Sequence, residues 1–117
     1  MKKSPKNPQP LSTAAQYILL ALASEDLHGY GIIQEIARQT DDSYRVGPGT
    51  LYDNLKKLMD AKLVIDAPRT SRNKEDDRRF YRLTPAGRAA LSAEVDRLRS
   101  IVSQAQSRLR ERKPRNA

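Results

Sequence analysis

The sequence predicts a mostly α domain with a small β-wing, a winged helix-turn-helix carrying one further helix at its C-terminal end. Three observations carry that prediction. Apolar residues recur at helical spacing in four segments, and three of these begin at a recognisable cap (Ser12, Gly47-Pro48 and Thr84-Pro85). Two short β-rich runs, Leu63–Ala67 and Arg79–Leu83, flank a polar, charged loop. The order is two short helices, a polar turn, a third helix with a polar outward face, then the hairpin. At 117 residues the chain suffices for one domain with a real core and is too short for two ordinary ones.

The elements follow in order. Ser12 caps a helix expected to run to about Ser24, with Ala15, Ile18, Leu19 and Leu22 on its core face. Glu25–Gly29 makes a turn, and a second helix from about Tyr30 to Gln39 buries Ile32, Ile33, Ile36 and Ala37. Asp41–Val46 links it to the third helix. There Gly47 is the N-cap, Pro48 takes the first position, and Leu51, Leu55, Leu58 and Met59 form one apolar face. In the hairpin Tyr81 and Leu83 point inward. The last helix, residues 85–113, carries Leu91, Val95, Leu98, Val102, Ala105 and Leu109 at spacings of 4, 3, 4, 3 and 4, a short heptad seam that suits a homodimer interface. Packing of the seam on its own domain is the rival explanation. The expected organisation is a disordered basic arm at 1–10, the winged domain at 11–84, the dimerisation helix at 85–113 and a tail at 114–117.

Formal charge is +8, from 22 basic and 14 acidic residues. The excess is uneven: +3 in residues 1–10, −3 in 11–68, +3 in 69–82 and +5 in 83–117. Such a chain is drawn to polyanions through its arm, wing and last helix, while the compact part is mildly acidic. There is no cysteine, so there are no disulfides and no thiolate metal site. The apolar stretch inside the uncharged run that ends at Ser24 is too short to span a bilayer, and no signal-like apolar region follows the N-terminal lysines. The expectation is a cytoplasmic protein that does not engage membranes.

Enzymatic chemistry finds little support. His28 is the sole histidine, and beside Glu25 and Asp26 at a helix boundary it reads as a turn or capping residue. One histidine and no cysteine leave no ligand set for a transition metal. The glycine pairs at Gly29/Gly31 and Gly47/Gly49 lack the length and lysine of a phosphate-binding loop. No cofactor is implied and no catalytic residue is assigned.

Double-stranded DNA is the better partner. A helix N-terminus offers N–H groups to phosphate, and Thr50 and Tyr52 place hydroxyls beside it. Asn54 suits adenine, and Lys56 and Lys57 suit phosphate or guanine. In the wing Arg72, Lys74, Arg78 and Arg79 suit phosphate contacts or entry of one arginine into a minor groove.

Several motifs together carry a resemblance. His28-Gly29-Tyr30-Gly31-Ile32, the run Pro48-Gly49-Thr50-Leu51-Tyr52-Asp53-Asn54-Leu55-Lys56-Lys57-Leu58, Arg79-Phe80-Tyr81-Arg82-Leu83-Thr84 and Gly87 resemble the PadR family of bacterial transcriptional regulators, from about Leu11 to Leu109. The single C-terminal helix is similar to that of the short subfamily. The resemblance implies a repressor that binds a palindromic operator as a homodimer and responds to a small molecule or to stress. Thr50 and Tyr52 then match the start of the recognition helix, Lys56 its phosphate-facing side, and Arg72 and Lys74 the wing. Some short members take flat aromatic ligands between the dimerisation helices. This chain has no Trp and no aromatic residue after Tyr81, which leaves Tyr17 as the aromatic side chain nearest such a site. The alternative for the same fold is a protein-interaction module without sequence-specific DNA binding.

Overall fold

The computed structural model describes residues 10–68 and 77–111. Residues 1–9 of the expected basic arm at 1–10, the loop at 69–76 that holds Arg72 and Lys74, and residues 112–117 lie outside the described part. The element order is α1 (Thr13–Ala21), β1 (Leu27–His28), α2 (Gly29–Gln39), α3 (Pro48–Asp60), β2 (Val64–Asp66), β3 (Phe80–Leu83) and α4 (Pro85–Arg110).

Side chains start three of the helices. Ser12 accepts a hydrogen bond from the Ala15 N–H at 3.1 Å, and the His28 ring Nδ1 accepts from the Gly31 N–H at 3.0 Å. Thr84 accepts from the Gly87 N–H at 2.9 Å and also donates to the Lys62 carbonyl at 2.8 Å, which ties the start of α4 to the end of α3. α1 ends at Ala21 rather than near Ser24, and α2 begins at Gly29, one residue before the expected Tyr30. Both α2 and α3 close with their last carbonyls taken up by a residue in the left-handed region and its successor. In α2 Asp41 (φ 53°) and Asp42 donate to the Arg38 and Ala37 carbonyls. In α3 Lys62 (φ 67°) and Leu63 donate to those of Met59 and Leu58.

The sheet corrects one expectation. Residues Glu25–Gly29 read as a plain turn, yet Leu27 and His28 form a third strand, and the order is β1-β3-β2 with both pairings antiparallel. Leu27 lies opposite Tyr81, and Val64 opposite Leu83. Two residues are too few for alternation to be visible in sequence; the strand exists because β3 offers it a free edge.

One core unites these parts. Ile18 and Leu19 of α1, Ile32 and Ile36 of α2, Leu51 and Leu55 of α3 and Val64 of β2 are fully buried, and Tyr81 and Leu83 close the sheet side. Gly87 lets α4 reach this core: a Cβ there would stand 2.1 Å from the Leu63 carbonyl oxygen. Ala90 and Leu91 pack against the core, Glu94 is buried, and from Leu98 onward every described residue of α4 is exposed. The helix thus leaves the domain about halfway along its length.

Candidate nucleic-acid interface

The α3 helix divides sharply around its axis. Leu51, Leu55 and Leu58 are buried, whereas Gly49, Thr50, Tyr52, Asp53, Lys56, Lys57 and Asp60 are exposed. At about 100° per residue, Asp53, Lys56, Lys57 and Asp60 form the crest opposite the leucines. The N-terminus is open: Gly47 makes no side-chain cap, and Pro48 has no N–H. Neither Gly47 nor Gly49 has a positive φ, and a Cβ at either would meet nothing within 4 Å. Nothing inside the domain calls for glycine at these two positions. Without side chains at 47 and 49, the backbone at the start of α3 stays uncovered.

Tyr52 and Asn54 flank the crest on opposite sides. The Tyr52 hydroxyl rests on α2, so that a Cβ added to Gly29 would lie 2.2 Å from it, while half of the residue stays exposed. Together with Lys56, Met59, Asp60, Arg79 and Tyr81 it lines a groove between α3 and β3. Asn54 turns toward α1. Its amide donates to the Thr50 carbonyl at 2.8 Å, and its oxygen accepts from Ser12 Oγ at 3.4 Å. The residue expected to read adenine is therefore engaged at the α1–α3 junction.

Both lysines of the crest carry acidic partners. Lys57 Nζ lies 3.6 Å from Asp53, and Lys56 Nζ lies 3.7 Å from Asp60, all four side chains being exposed. Asp53 and Asp60 thus share the crest with the lysines, and their i,i+4 spacing from Lys57 and from Lys56 is the sequence signal for them. Arg45 adds a further cation near the start of α3. It precedes the N-cap of α3, is exposed, and pairs with Asp42 at 3.1 Å.

On the sheet side, Arg79 clasps Asp66 with two hydrogen bonds, the Nη2–Oδ2 contact being 3.1 Å, and lies over the Tyr81 ring at 5.2 Å. The hydrogen bonds from Arg79 hold the Asp66 carboxyl below its usual range, while burial pushes the Tyr81 phenol up. Arg79 thus staples β2 to β3 in the free protein. Arg78 lies 2.8 Å from His28 Nε2 and over the Phe80 ring at 5.8 Å. Arg82 grips Asp26 at 2.8 and 3.0 Å, which ties β3 to the turn before β1.

Of the expected interface on α4, Leu91 is half-buried against the domain's own core, whereas Val95, Leu98, Val102, Ala105 and Leu109 are exposed. Ile101, outside the heptad positions, is half exposed beside Val102. Tyr17 stacks on Tyr44 with ring centroids 5.0 Å apart.

Helices α1–α3, the small sheet and the protruding α4 define a winged-helix transcriptional regulator. The model of the Transcriptional regulator PadR-like family matches residues 18–93, and the chain belongs to that family. It is 42% identical over 76 residues to Transcriptional regulator Rv3488 of Mycobacterium tuberculosis, a match covering 65% of this chain and 66% of that protein, just under two-thirds of its length. A PadR family transcription regulator from Clostridium difficile R20291 superposes with a TM-score of 0.66 at 25% identity, covering 84% of this chain and 99% of that one. Bacillus subtilis PadR, solved in complex with operator DNA, shares the fold with a TM-score of 0.59 at 24% identity over 71% of this chain and 46% of that one. Among the described residues no helix is long and apolar enough to cross a membrane, and no group of three or more acidic, histidine or cysteine side chains is placed to hold a metal ion.

Proposed function

We propose that the protein is a repressor that binds a palindromic operator as a homodimer, with α3 of each protomer entering the major groove. The crest of α3 carries this reading: a polar, charged ridge with an open N-terminus stands directly opposite the buried leucines. Operator DNA bound to Bacillus subtilis PadR, a protein of this fold, supports the same choice of ligand. Dimerisation runs through the exposed apolar seam of α4 and presents two α3 helices to half-sites about 34 Å apart. Thr50, Lys56, Arg78 and Arg79 hold phosphates, helped by Arg72, Lys74 and the basic arm, and Tyr52 supports α3 from its wing side. Release follows binding of a small molecule or a stress signal to the dimer.

A mobility-shift titration on the duplex upstream of the protein's own coding region tests this. Affinity should fall with salt at a log–log slope of about 0.9 per phosphate contacted, and Lys56→Ala should lower that slope by about 1. Absence of binding to any duplex at low salt would sink the DNA reading and leave the fold as a protein-interaction module.

A further inference from the structure

The lysines on the crest of α3 are accompanied by acids, which is a poor design for gripping phosphate alone. Asp53 and Asp60 cancel the charge of Lys56 and Lys57, so the crest of α3 by itself is electrically neutral. A carboxylate carried into a groove lined by phosphates must find a donor there or oppose binding. Asp53 cannot avoid the groove, because it stands opposite Leu51 and Leu55 and its side chain is 65% exposed.

We propose that Asp53 and Lys57 act together as a reader of one G·C base pair in each half-site, Asp53 accepting from cytosine N4 and Lys57 donating to guanine O6 and N7. The proposal rests on the entry of α3 into the major groove. The pair presents one acceptor and one donor 3.6 Å apart on the same helix face. A carboxylate accepts and never donates, so in the major groove it can meet only cytosine N4 or adenine N6. Adenine N6 lies between two acceptors, its own N7 and the thymine O4, both of which repel the carboxylate. Cytosine N4 has an acceptor on one side only, guanine O6, which together with N7 is where the ammonium binds. The edge of a G·C pair therefore matches the ion pair, and the edge of an A·T pair conflicts with it. Forming the contact exchanges the Asp53–Lys57 attraction for two contacts of the same polarity, so the pair stays satisfied both free and bound.

Selection from randomised duplexes with the full-length protein tests this, alongside Asp53→Asn and Lys57→Ala. Both side chains are exposed and the variants should keep the wild-type helical circular dichroism. The wild-type motif should contain one G·C pair in each half-site that is favoured between about 5- and 150-fold, the span of good base-edge contacts. Asp53→Asn should move that one position to adenine, since an amide both donates and accepts, and leave the other positions unaltered. Lys57→Ala should relax the same position. If Asp53→Asn leaves the motif unchanged, or tightens binding to all sequences equally, Asp53 reads no base and the proposal fails while groove entry stands. If the wild type selects no motif at all, groove entry itself fails and takes the proposal with it.

Discussion

The buried Glu94 carboxylate of α4 accepts a hydrogen bond of 2.7 Å from the Gln16 amide of α1. Arg97 grips the same carboxylate from the next turn of α4. This is the last buried polar contact before α4 leaves the domain, so it governs the angle at which the helix projects. In a dimer joined through α4, that angle sets the separation of the two α3 helices.

Glu94→Gln keeps the shape and removes the charge. It should cost about 1–3 kcal/mol in urea unfolding at pH 7, the range for a broken charged hydrogen bond at a buried site. The hydrogen bond from Arg97 is the main cause that holds the Glu94 carboxyl below its ordinary value of 4.5. The folded chain therefore binds that proton less readily than the unfolded one. The advantage of wild type over the variant should be constant from neutral pH to about 5 and then shrink as acid protonates the folded carboxylate. An advantage unchanged at pH 3 would contradict this.

Two glycines predict opposite outcomes for the same substitution. Gly87→Ala drives a methyl into the Leu63 carbonyl oxygen at 2.1 Å, and backbone on both sides cannot yield. Loss of about 3 kcal/mol or more, or failure to fold, is expected. Gly29→Ala meets the Tyr52 hydroxyl at 2.2 Å, the far end of a half-exposed side chain. Stability should change by about 1 kcal/mol or less, while Tyr52 swings out and DNA affinity drops. Thermal melts with mobility shifts on both variants check the contrast.

Leu98→Asp combined with Val102→Asp places two charges on exposed apolar positions of α4. The domain core does not include them, so the fold should survive. Sedimentation should show a monomer, and operator binding should weaken at least about 100-fold, because each half-site then binds without its linked partner. A folded variant that remains dimeric would remove α4 from the interface.

Lys62 holds a left-handed conformation at the end of α3. Lys62→Gly relieves the crowding at its Cβ and should raise stability by about 0.5–1 kcal/mol, measured as a higher denaturant midpoint with an unchanged slope.

What the sequence determined by itself was local. The spacing of Ile18, Ile32, Ile36, Leu51 and Leu55 defined the helices and their inner faces, and Ser12, Gly47-Pro48 and Thr84-Pro85 marked where three of them begin. These are features of neighbouring residues, and the physics of a cap or an amphipathic stripe is complete within a turn or two of chain. The third strand at Leu27–His28, the turn of Asn54 toward Ser12, the seating of the Tyr52 hydroxyl on Gly29 and the burial of Glu94 were decided only in three dimensions. Each depends on a partner 23 to 78 residues distant, from Tyr52–Gly29 at one end of the range to Gln16–Glu94 at the other. The wish of an isolated Glu or Asn for a partner is visible in sequence; which partner reaches it is set by how the helices pack.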